Sequence, residues 1–355
     1  KAGSLPLVLD GDTAVVLGNT VIFVLGSLLT SADLTLTFMS GGPSGVVDLF
    51  GNSAANFVDF AVTNANVPVL VPPSNPPSST VDGVVVDSAV VVLPGGQSGM
   101  LVSVPVVTAD RVEQSGSPAA DIPLVSANGS PLLLAQVPIG YGLSALGAGN
   151  APASSALDRL TAAISGVTDS VGDRAQFNHN AQGVFNTLLD GNVLVQTLTP
   201  IAGATAPSQP LVITGTTSDS QHTGLVIDAT QLPASSFLTL NAVDFAAVVG
   251  ELSITGNTAG QVLSGDAASQ SFTVTAPGSQ VFSGGGDDLL IYQPTAPTGS
   301  SAGTLLHGGA GNDTGVFSDV QSAYLIEQHA GFLLVTHRSD PGVQVKLVNI
   351  ETLDF

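Results

Sequence analysis

Residues 283–292 read SGGGDDLLIY, and residues 307–317 read HGGAGNDTGVF. In the second stretch Gly308, Gly309, Gly311 and Asp313 fit the frame G-G-x-G-x-D; the first fits it with Ser283 in place of the leading glycine. These residue types have a physical reading. Glycine turns through φ > 0 without a Cβ penalty and can aim its carbonyl inward. Aspartate adds a charged oxygen. A hard cation such as Ca²⁺ takes roughly six to eight oxygens of these two kinds.

The first copy closes a run with a fixed step. Every ninth residue from Phe245 is large and apolar: Phe245, Ile254, Leu263, Phe272, Val281 and Leu290. Small and turn-forming residues lie between them, as in TGNTAGQV and SGDAASQS. A short fixed period marks a chain whose rungs each supply a strand and a turn, and a step of nine is too short for a helix pair. Residues 196–355 therefore read as a parallel β-solenoid, or β-roll, ending in a β-meander. The separation of Asp288 and Asp313 is not a multiple of nine, so a loop at Pro294–Thr304 is expected to interrupt the stack. Gly265-Asp266 reads as the remnant of an earlier turn.

The two turns resemble the calcium-binding nonapeptide repeats of the repeats-in-toxin (RTX) family, proteins exported by bacterial type I secretion. Residues 313–355 resemble the segment that often follows such repeats, through Asp313-Thr314-Gly315-Val316-Phe317, Tyr324-Leu325-Ile326, Gly331 to Thr336 and the closing Asn349-Ile350-Glu351-Thr352-Leu353-Asp354-Phe355. The resemblance covers roughly residues 250–355. It implies one or two calcium ions held between successive turns. Asp288 and Asp313 would be carboxylate ligands, and Gly284, Gly286, Gly308, Gly309 and Gly311 would supply carbonyls or the required bends. Ser283, Asp287 and Asn312 complete the implied metal turns, and Leu290 is the implied inward plug. Gly315 departs from the pattern, standing where a large apolar residue belongs.

Composition narrows the function. The 355 residues include six Lys or Arg and 27 Asp or Glu, a net charge of −21. Such a chain has no basic surface for nucleic acid or anionic lipid. With no cysteine it has no disulfide, thiol nucleophile or cysteine metal site. Its most apolar stretch, 14–38, is broken by Asn19, Ser27, Ser31 and Asp33 and reads as buried strands rather than a membrane helix. No H-E-x-x-H or G-x-S-x-G occurs, and His179, on a polar stretch, reads as a surface histidine. The expectation is a protein without catalysis.

Upstream, residues 1–150 read as β-rich and sandwich-like, with a proline-rich connector at 68–80 and a turn-rich stretch at 108–131. Residues 151–195 read as a helical insert: 154–167 with Leu157, Leu160 and Ile164 on one face and Ser154 or Ser155 as cap, then 173–189 with Phe177, Ala181 and Phe185. No charged-then-apolar leader precedes these, and the chain reads as a piece of something longer. The expected fold class is mainly β with a short helical insert. The expected function is an extracellular, calcium-stabilised structural or adhesive protein at the bacterial cell surface. It would self-assemble as a surface-layer or filament subunit, or belong to a large adhesin, with copies of itself or a cell-surface component as partner. The alternative is an accessory domain of a secreted hydrolase, or a glycan- or protein-binding module. A mean hydropathy of +0.43 motivates assembly, because neighbours would cover apolar surface.

Overall fold

The structure, a computed structural model, describes residues 78–93, 96–112, 117–188, 191–204, 207, 209–218, 220–294 and 303–355, and the backbone of four earlier strands. Those four are β1 (Ala14–Leu17), β2 (Thr20–Phe23), β3 (Leu34–Phe38) and β4 (Phe57–Val62), paired antiparallel as β1–β2 and β3–β4. The apolar stretch 14–38 thus contains three strands. They belong to a unit formed by Lys1–Val71 and Val91–Gln97. Most of the connector expected at 68–80 falls outside the described residues, and its last three positions are strand rather than connector.

The second unit holds Pro72–Val90 and Ser98–Phe355. Its first strands are β5 (Ser78–Val81), β6 (Val84–Val92), β7 (Ser98–Val104), β8 (Ala119–Ala127), β9 (Ser130–Pro138), β10 (Tyr141–Gly147) and β11 (Ala151–Pro152). Two helices follow, α1 (Ala153–Val167) and α2 (Val171–Phe185). Then come β12 (Asn192–Ala202), β13 (Leu211–Thr214), β14 (Gln221–Asp228), β15 (Phe237–Asn241), β16 (Phe245–Val249) and β17 (Ser253–Gly256). The last group is β18 (Val262–Ser264), β19 (Ser271–Val274), β20 (Gln280–Phe282), β21 (Leu289–Tyr292), β22 (Thr304–His307), β23 (Thr314–Phe317), β24 (Tyr324–His329), β25 (Phe332–His337), β26 (Asp340–Val348) and β27 (Thr352–Asp354).

Strands β12 to β23 alternate between two sheets; after the antiparallel β24 and β25, strands β26 and β27 resume the pattern. One sheet runs β12-β14-β16-β18-β20-β22-β26, and the other runs β13-β15-β17-β19-β21-β23-β27, with every one of these neighbours parallel. The protein is mainly β. Ile254, Phe272 and Leu290 are direct register partners in one sheet, and Leu263 and Val281 in the other. All five point into a single apolar cluster between the sheets. The step of nine therefore carries the chain from one sheet to the other, and a double step brings it back into register.

Phe245 departs from this series. It pairs with Val262 rather than with Leu263, one position short of a full double step, so its neighbour Ala246 faces the inter-sheet core. Phe245 itself packs outward against the helices, with Leu160, Ile164, Phe177 and Phe185. That cover explains a composition that alternation does not. FAAVV in β16 is buried at every position because core lies on one side and helices on the other. In the smaller sheet, against which neither helix packs, alternation holds, as in SFTV of β19.

Both helices match their expected spans within a few residues, but the cap of the first does not. Pro152 precedes α1, and neither Ser154 nor Ser155 caps it; in α2 the Ser170 hydroxyl accepts the Asp173 N–H. The turn-rich reading of 108–131 is also overturned from 119 onward. Pro123 and Pro131 sit within β8 and β9. β8 is the edge of its sheet and shifts register at Pro123/Val125, where a missing N–H is tolerated.

The interruption expected at Pro294–Thr304 lies between β21 and β22, with 295–302 outside the described residues. Beyond it the register resumes at a longer interval, Leu290 opposite Gly315 and Val281 opposite Leu306.

Candidate metal centre

From β16 onward, each passage from the larger sheet to the smaller makes a turn, and the turns stack. They are 250–252, 265–270, 283–288, 308–313 and 349–351. The two glycine motifs are adjacent members. Gly285 bridges Ala310 directly, and the Ala310 N–H donates to the Gly284 carbonyl at 3.0 Å. Gly284, Gly286, Gly309 and Gly311 all have φ between 88° and 140°, the region that demands glycine.

The last residue of each turn carries the chemistry. Gln270, Asp288, Asp313 and Glu351 are equivalent, since the residue after each donates its N–H to the equivalent residue one turn earlier: Leu289 to Gln270, Thr314 to Asp288 and Thr352 to Asp313. Their side chains form a ladder. Asp288 Oδ1 accepts the Gln270 N–H at 2.7 Å, Asp313 Oδ1 the Asp288 N–H at 2.9 Å, and Glu351 Oε2 the Asp313 N–H at 2.8 Å. One oxygen of each inner member has no hydrogen-bond partner although buried: Gln270 Oε1, Asp288 Oδ2 and Asp313 Oδ2. Asp288 is 2% exposed and Asp313 0%.

The other expected residues sit around this column. Ser283 is buried, its hydroxyl donating to the Gly308 carbonyl. Asp287 and Asn312 lie on the exposed rim, where Asp287 Oδ1 accepts the Asn312 N–H at 2.8 Å. Leu290 is fully buried beneath the turn. Opposite Gly315, the missing side chain is replaced by Leu353 and Ile350, within 3.3 and 3.5 Å of where its Cβ would stand. The remnant read at Gly265-Asp266 is placed differently from expectation. Asp266 aligns with Gly284, and Gln270 occupies the ligand position; Asp266 Oδ2 accepts the Gly250 N–H and its Oδ1 accepts Gln270 Nε2. Sequence reading missed Gln270, Asn349 and Glu351. Glu351 is separated from Asp313 by the whole of β23 to β26, and only the β23–β27 register brings it to the column.

Burial sets the electrostatics. It pushes the Asp288 carboxyl up to about 6, against the opposing hydrogen bond from the Gln270 N–H; Asp313 and Asp266 add to the rise. Asp313 is also raised by burial, with Glu351 and Asp287 contributing, and Asp266 by burial, with Asp173 contributing. Acid groups raised in the folded state stabilise it when protonated, and that stability is lost as pH rises through the folded value. Chelator-treated protein is therefore expected to melt higher at pH 5 than at pH 7.5. A scanning-calorimetry series that is flat or reversed across that interval would count against the buried column.

Two oxygens of this kind per pair of turns, set among glycine carbonyls, fit a hard divalent cation. Among the described residues no group of three or more His, Cys, Asp or Glu gathers at metal-ligand range; a cation here would draw on one or two carboxylates and on carbonyls. Two of the histidines serve elsewhere. His179 is exposed on α2, and His337 joins Asp319 at 3.1 Å and the Ser339 hydroxyl at 2.9 Å beside the β25–β26 hairpin. No helix among the described residues is long and apolar enough to cross a membrane. Compared with known protein families, curated proteins and solved structures, the chain matches none.

Proposed function

We propose that the parallel part of the chain is a calcium-stabilised β-roll, and that the protein is an extracellular structural or adhesive protein at the bacterial surface. The observation that carries the reading is the column of buried, unpartnered oxygens on Gln270, Asp288 and Asp313. A buried carboxylate oxygen with no partner is costly, because it has lost water and gained nothing. A bound cation supplies the missing positive charge and cross-links adjacent turns. One or both of Asp288 and Asp313 would hold it, with backbone carbonyls of the turns. Their Oδ1 atoms fix the carboxylate orientation through the ladder of backbone hydrogen bonds.

The role follows from linkage. In a low-calcium compartment the acidic column repels itself and the roll is loosened for export. At calcium concentrations about 100-fold above the dissociation constant, each site adds about 2.7 kcal/mol to the folded state. Self-assembly is supported by composition, 44% hydrophobic with 9% charged residues, which leaves apolar surface for neighbouring copies to cover.

The test is a melt of the full chain in millimolar calcium and in chelator at pH 7.5. The expected result is a higher melting temperature with calcium and particles in electron micrographs that disperse on chelation. An identical melt in both buffers would leave the column as a hydrogen-bonded ladder only, and the calcium reading would fall.

A further inference from the structure

The stacked turns repeat a small cradle at their first position. Gly265, Ser283 and Gly308 are equivalent: their N–H groups donate to Phe282, His307 and Val348 carbonyls at 2.8, 3.0 and 3.0 Å. A Cβ on Gly265 would collide with Gln270 Oε1 and the Ser283 carbonyl, and a Cβ on Gly308 with Asp313 Oδ2 and the Asn349 carbonyl. Each bare glycine thus leaves a hollow bounded by the last side chain of its own turn and the first carbonyl of the next. At Ser283 the hollow is filled. Its hydroxyl donates to the Gly308 carbonyl at 2.5 Å.

Two acceptors facing one hollow need a hydrogen or a cation between them. Ser283 supplies the hydrogen in the middle cradle. The Gly265 cradle pairs two neutral oxygens, and Gln270 Nε2 is already committed to the Gly250 carbonyl and Asp266. The Gly308 cradle differs in charge. Asp313 Oδ2 is fully buried and unpartnered, and Glu351 brings a second carboxylate through its bond from the Asp313 N–H. Asn349 holds the other wall. Its φ of 48° is the left-handed conformation asparagine tolerates, and its Nδ2 donates to the Gly309 carbonyl at 3.3 Å.

We infer that the cradle of Gly308, Asp313, Asn349 and Glu351 is the principal divalent-cation site of the chain. Binding there fastens the closing segment, 340–355, to the preceding glycine turn, and Ser283 shuts the cradle before it. This rests on the calcium reading and names where the ion sits and what it secures.

Calorimetric titration of the metal-free full chain with calcium chloride tests it. Gly308→Ser, which copies Ser283 into the last cradle, is expected to weaken calcium binding at least tenfold. Glu351→Gln, on an exposed side chain that leaves folding intact, is expected to weaken it in the same direction. Ser283→Gly is expected to raise the stoichiometry by one ion. Wild-type affinity in both Gly308→Ser and Glu351→Gln would overturn this placement and leave the calcium reading standing. Absence of binding in the wild-type chain would overturn both.

Discussion

Phe272→Ala is expected to destabilise the unit containing the parallel sheets by about 3–5 kcal/mol, the cost of deleting a fully enclosed aromatic ring. Phe272 is 0% exposed and lies between Ile254 and Leu290 in the same sheet. The ring tip also lies 3.0 Å from where a Gly265 Cβ would stand, so it supports the floor of a turn as well as the core. In calcium buffer, urea denaturation followed by far-UV circular dichroism should show the loss, and the melting temperature should fall by about 6 °C or more. Phe237→Ala is the control. It is 51% exposed at the start of β15, and truncation there should stay within about 0.5 kcal/mol. Equal effects from the two would mean that the nine-residue series does not mark the core.

The second large effect is expected at a backbone position. Gly309 has φ of 103°, and an added Cβ would run into the Gly284 carbonyl, which already accepts the Ala310 N–H. Gly309→Ala should cost about 1–3 kcal/mol from the backbone conformation alone, before the collision is counted. Gly285→Ala should be nearly silent. Its nearest neighbour is the Ala267 Cα at 3.5 Å, and its φ is not positive. Hydrogen exchange at Ala310, Thr314 and Thr352 should accelerate in the first variant only. Matching exchange in the two would show that the stacked turns do not depend on glycine at 309.

Much of this was legible because it is local. The glycine frame at 308–313 encodes a bend through φ, and φ is a property of single residues. The step of nine encodes a strand and a turn. The helix at 153–167 announced itself by spacing, although its cap did not, because the chain enters from β11 with Pro152 in the capping place. Pro123 and Pro131 read as turns, yet each found a strand position in the β8–β9 pair that opens the smaller sheet, where tolerance depends on which neighbour is absent.

The period, the glycine turns and the two aspartates at their ends are all written in short local stretches of the chain. Which residues share the column with them is set by long-range strand pairing. Register depends on pairing between strands far apart in the chain. A shift by a single position turned Phe245 toward the helices, and the β23–β27 pairing delivered Glu351 from beyond the β24–β26 meander. Pairing of that range is set by the summed burial of both sheets, a quantity no local stretch of sequence contains.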